Sequence, residues 1–135
     1  MKKLALSMGL AALVLSACST TGQPQGPDWQ AYHNEGGFDF YVDKNSVKPV
    51  EGQTNWRSAM IAVQGGSITY EGQAAGSLAI NITVDCAQQS GRSDRYAFYE
   101  APLAQGKLLG EQAGYNEFKK AEIPADVAML NVICK

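Results

Sequence analysis

The chain has 135 residues, 45% hydrophobic and 18% charged, with 14 Gly, three Cys, a single His and a formal net charge of -2. That is one domain's worth of polypeptide at most, and a balance this close to neutral supplies no sequence-wide basic field for nucleic acid phosphates. Much of the hydrophobicity lies in the first 17 residues, which do not read as part of the fold.

At the N-terminus Lys2 and Lys3 give a positive start, and residues 4–15 run on as apolar and small side chains. A helix crossing a bilayer core of about 30 Å takes about 20 apolar residues, so this run is too short to span and suits the centre of a secretory signal. The next stretch, Leu15-Ser16-Ala17-Cys18, resembles the lipobox of bacterial lipoproteins. The resemblance implies cleavage after Ala17, diacylglycerol on the Cys18 sulfur and usually a further acyl chain, such as palmitate, on the new amine. An ordinary cleaved signal with an incidental Cys18 is the alternative reading. Several acyl chains, at about 0.8 kcal/mol per buried methylene, make a stable anchor where one is marginal. Ser19 follows the cysteine; in Gram-negative bacteria an Asp there tends to retain a lipoprotein in the inner membrane, so Ser19 favours the outer membrane. Residues 18–28 then read as lipidated Cys plus a polar, Gly- and Pro-rich tether, with a reach of about 15–20 Å. The folded domain is expected over 29–135.

Within that domain, residues 38–42 form a short aromatic strand, preceded by Gly36-Gly37 and followed by a turn at 43–46. Residues 54–64 alternate Trp56, Ser58, Met60 and Ala62 against Arg57, Ala59, Ile61 and Val63, and Gly65-Gly66 ends them. Residues 67–70 are expected to return as their hairpin partner. Segment 77–86 is the clearest element: Leu78, Ile80, Ile82, Val84 and Cys86 alternate with Ala79, Asn81, Thr83 and Asp85, a strand with one buried face. Two more strands, 93–101 and 107–112, are separated by Pro102 and Gly106. The C-terminus changes period. Pro124 fits the first helical position and Asp126 the first turn; Val127, Leu130 and Cys134 follow at helical spacing, with Ile123 placed to staple onto Val127. The fold class expected is α+β, mainly β: a small antiparallel sheet of about five to six strands with one C-terminal helix, disulfide-stapled.

With Cys18 taken by lipid, Cys86 and Cys134 remain, and an even pair in an exported chain reads as a disulfide. A metal or redox pair is the alternative, without a CxxC or a second His to favour it. There is no GxSxG, GxGxxG, P-loop, HExxH or EF-hand loop. A triad would depend on His33, which reads as an exposed residue at the domain edge, and acid pairs such as Asp39 with Asp43 or Glu111 with Glu117 read as solvated surface. No catalytic residue, metal ligand or cofactor is assigned beyond the lipid on Cys18, and an enzyme is not expected. Phe38, Phe40 and Trp56 read as packing residues. Tyr96, Phe98 and Tyr99 put an aromatic on both faces of one strand. Arg92, Arg95, Lys119 and Lys120 offer a basic patch for an acidic partner, or merely a solvated surface. An unpaired sheet edge invites self-association into a homodimer.

Three stretches together resemble the surface-adhesin protein E family of small bacterial lipoproteins: Phe-Tyr-Val-Asp-Lys-Asn-Ser-Val at 40–47; Val84-Asp85-Cys86 with the later 95–99 strand; and Ile123-Pro124-Ala125 leading to Val132-Ile133-Cys134-Lys135. The resemblance covers 29–135 and implies six antiparallel strands with a C-terminal helix tied by a disulfide. It also implies, for some members, adhesion to host matrix proteins. Phe118 stands where the family often has Trp, the 65–77 region is Gly-rich and longer, and no adhesin binding residue maps onto this chain. The reading is a non-catalytic outer-membrane lipoprotein, surface-exposed or on the periplasmic face. Lipid holds it to the membrane, and its β domain binds a protein partner as a surface adhesin. The alternative is a periplasm-facing accessory or scaffold lipoprotein, or a proteinaceous enzyme inhibitor.

Overall fold

The structure is a computed structural model that describes residues 26–135. The signal, its cleavage at Ala17 and the lipid on Cys18 lie outside those residues. No described helix is long and apolar enough to cross a membrane.

The chain enters as a hairpin, β1 (Trp29–Glu35) and β2 (Phe38–Asp43), turned by Gly36 and Gly37. Both glycines have positive φ, 61° and 83°, the pair that a tight two-residue hairpin loop requires. Asp43 then closes a 3-10 turn over Lys44–Ser46 by accepting from the Asn45 amide at 3.0 Å and from the Asp28 amide at 2.9 Å. A short β3 (Lys48–Pro49) pairs with the start of β4 (Trp56–Gly65). The remaining long strands are β7 (Ser77–Asp85), β8 (Ser90–Ala101) and β9 (Gln105–Ala113). The path across the sheet is β1-β2-β4-β7-β8, with β9 on the far side of β8 and two-residue β10 (Lys119–Lys120) beside the start of β8. Every pairing is antiparallel.

Two expectations about strands change. Residues 67–70 do not pair with β4, whose two sides are occupied by β2 and β7. Gly65 and Gly66, with φ 89° and 57°, turn the chain away instead. Thr69–Tyr70 (β5) and Gln73–Ala74 (β6) then form a separate two-stranded ribbon. In β7 the second face is also largely covered: Ser77, Ala79 and Thr83 are buried. This strand lies mid-sheet, where Ala62, Ala79 and Ala97 stand in register across three strands, and such short side chains expose little between their neighbours.

The core lies between the sheet and α1 (Pro124–Ile133). Val42, Ala59, Ile61, Ile82 and Val84 meet Met129, Leu130 and Ile133 of the helix. Paired antiparallel residues share a face, so the in-register row Val42, Ile61, Ile80 turns to the helix together. Ile123 and Val127, the pair expected to form a staple, are 56% and 43% exposed, and the buried stripe of the helix runs through Ala125, Met129, Leu130 and Ile133. Cys134 bonds Cys86, with Cα atoms 5.6 Å apart. Arg57 donates to the Ile133 and Lys135 carbonyls at 2.7 and 2.8 Å, satisfying orphan acceptors at the helix end.

Candidate functional site

The helix covers only part of its sheet face. Beside its first turns the uncovered part forms a cavity of about 330 Å³. Its floor comes from strand alternation: Phe40 of β2, Val63 of β4 and Ile80 of β7 lie on the helix side, joined by Tyr96 of β8, which pairs with Ile80. A register shift in β1 between Ala31 and His33 lets Tyr32 turn toward the same face. Its ring lies 6.0 Å from that of Phe40. One wall is the start of α1, with Ala125, Asp126 and Met129. The other is an extended segment in which alternate residues Tyr115, Glu117, Lys119 and Ala121 line the cavity. Backbone bonds hold that segment to β8 and its approach: the Gly114 amide to the Asp94 carbonyl at 3.0 Å, Asn116 to Ser93 at 3.0 Å and Ala121 to Gln89 at 2.9 Å.

The mouth is aromatic and charged. Tyr115 is 78% exposed, stands edge-on to Tyr96 at 6.4 Å and carries the Lys119 ammonium 5.6 Å above its ring. Burial, and secondarily the negative charge of Asp126, push the Tyr32 phenol well above its ordinary pKa, so it stays a neutral donor. Burial also raises the Asp126 carboxyl. No described residue forms an ion pair or side-chain hydrogen bond with Asp126. The lining holds no His or Cys, and no group of three metal-ligating side chains occurs among the described residues.

The sequence-level candidates are redistributed. His33 lies on the edge strand β1 but is not exposed: 19% of its side chain is accessible, 3.3 Å from Glu35, against the Phe40 ring at 5.7 Å. Of the expected basic patch, Arg92 pairs with Asp94 at 2.8 Å and Arg95 with Glu111, while Lys119 lies over the Tyr115 ring and Lys120 is exposed beside it. Trp56 packs outside the helix-side core; it stacks on Phe118 at 4.8 Å and both rings face the Arg92 guanidinium. Asp39 accepts from Asn34. Phe38 and Phe40 remain half-buried, because the helix stops short of them. Cys86 and Cys134 are joined as expected. No local sequence signal brings Tyr32, Tyr115 and Asp126 together; the fold does.

The described residues thus form a small antiparallel sheet with one disulfide-tied helix on a face, open beside that helix as an aromatic cavity. A family model described as surface-adhesin protein E matches residues 29–135, and the chain belongs to that family. Solved structures of Haemophilus influenzae protein E share its fold. Crystal form II is 15% identical, with TM-score 0.62, covering 84% of this chain and 96% of that one. The selenomethionine form is 15% identical, with TM-score 0.58 and coverage of 84% and 95%. A further structure of that protein is 16% identical, with TM-score 0.56 and coverage of 82% and 91%. No curated protein matches the sequence.

Proposed function

We propose that this protein is a non-catalytic, lipid-anchored outer-membrane protein that displays its β domain to bind another protein, as a surface adhesin. Membership of the surface-adhesin protein E family supports display at a bacterial surface. The aromatic cavity beside α1 is the observation that carries the binding role: half-buried rings and an exposed Tyr115 at its mouth are what protein recognition uses. Signal cleavage after Ala17 and lipid on Cys18 fix the domain to the membrane; of the expected tether, Gly26 and Asp28 are hydrogen-bonded to the turn at 43–46. The free edge of β9, with Leu108 exposed, is the side on which a second copy pairs.

The test uses intact cells carrying the full chain. Added protease should remove the domain without outer-membrane rupture, and the cells should capture protein from host-matrix extracts. Tyr115→Ala should reduce that capture several-fold with an unchanged melting temperature. Cys18→Ala should lose labelling by a fatty-acid analogue. A domain shielded until the outer membrane is broken refutes surface display, and undiminished capture by Tyr115→Ala refutes the cavity as the binding surface.

A further inference from the structure

We propose that the cavity receives a lysine side chain of the partner protein, with its ammonium on Asp126; this rests on the reading of the cavity as the binding surface. The apolar floor of Phe40, Val63 and Ile80 suits an aliphatic stem. Tyr32 and Tyr96 line the same cavity, and aromatic rings are groups that attract a cation. At the helix end stands the Asp126 carboxylate, with no cation beside it among the described residues. Charge decides between occupants. A neutral apolar side chain would strip water from that carboxylate and leave it unpaired, and burying a charge without a partner is expensive. An acidic side chain would face both Asp126 and Glu117, which lines the same wall. A cation neutralises Asp126 in a cavity that aromatic side chains line. Of the chain's own cations near the cavity, Arg92 is engaged by Asp94, and Lys119 rests on the outer ring of Tyr115. Lys119 shows a cation already seated on an aromatic at the mouth, and it leaves Asp126 vacant.

The experiment follows the methyl resonances of Ile80 and Met129 in the full chain in detergent, titrated with acetyl-Gly-Lys-Gly-amide. Matched peptides carry norleucine or glutamate in place of lysine. The lysine peptide should shift both methyls saturably, with about tenfold higher affinity than the norleucine peptide, equivalent to about 1.4 kcal/mol. Asp126→Asn should bring lysine down to the norleucine level, and Asp126→Glu should restore most of the difference. Should Asp126→Asn fail to give a native spectrum, the lysine-to-norleucine ratio in the wild type decides alone. Equal affinities, preference for glutamate, or full lysine binding by a folded Asp126→Asn protein overturns the cation site while leaving the cavity as a surface for apolar or acidic groups. No methyl shift with any peptide, in protein whose capture of a partner still depends on Tyr115, overturns the lysine and spares the proposed function. Capture that ignores Tyr115 sinks the broader reading first.

Discussion

Asp126 concentrates the physics of the site in one side chain. Its place in the first turn of α1 sets its charge against the positive end of the helix dipole, yet burial raises its pKa, so desolvation outweighs that benefit. The consequence for stability has a definite sign. A carboxyl that ionises less readily in the folded chain binds more protons there than in the unfolded chain, so stability falls as pH rises through the window between the two pKa values. Below the ordinary aspartate range the penalty is absent, and above the raised value it is complete. Asp126→Asn should therefore match the wild type in urea midpoint at pH 3 and exceed it at pH 7. Identical differences at both pH values would show that the charge is not desolvated. The position of Asp126 was legible in the sequence, because Pro124 marks where the helix starts. Its role was not, because nothing local says that the uncovered sheet lies opposite.

Elements were legible where local pattern and pairing agree. β2, β4 and β7 carry alternating side chains bounded by Gly or turn residues, and the sheet pairs them as neighbours. β1 has no clean period-two pattern in Trp-Gln-Ala-Tyr-His-Asn-Glu, and the bulge at its middle breaks what alternation there is. The sequence does not reveal the β5–β6 ribbon because the hairpin rule is local, whereas the absence of a free side on β4 is a property of the whole sheet. That ribbon is held by Tyr70, whose ring stacks on Phe98 at 4.9 Å above the strand pair Phe98 and Gly110. A Cβ at Gly110 would collide with the Tyr70 ring, so the absence of a side chain there is what lets the ribbon dock. Gly110→Ala should displace Tyr70 at a cost of about 1–3 kcal/mol, typical of overpacking. Hydrogen exchange should then show Tyr70 and Ala75 amides losing protection while those of β7 keep theirs. Unchanged protection at the ribbon would mean that the Tyr70 contact does not hold it.

At the scale of the molecule the described residues share one core, and it is the helix–sheet interface itself: Leu130 and Ile133 are almost wholly buried against the strands. A ten-residue helix is marginal on its own, so its attachment decides whether the sheet has a core at all. The disulfide closes a loop with a sequence separation of 48, worth about 4 kcal/mol in the chain-entropy account. Small domains have a total stability of about 5–15 kcal/mol. Helix and sheet should therefore unfold together. Trp56 reports from the opposite side of the sheet, stacked on Phe118. Trp29→Phe makes it the sole tryptophan, and removes an indole N–H buried without a partner among the described residues. In that background, urea unfolding followed by Trp56 fluorescence and by far-ultraviolet circular dichroism should superimpose. Adding Cys86→Ala and Cys134→Ala should move both curves to lower urea by the same amount, equivalent to about 4 kcal/mol. A Trp56 transition that stayed in place while the helical signal moved would show that the sheet stands without its helix, and that the cavity wall can be lost while the rest of the domain survives.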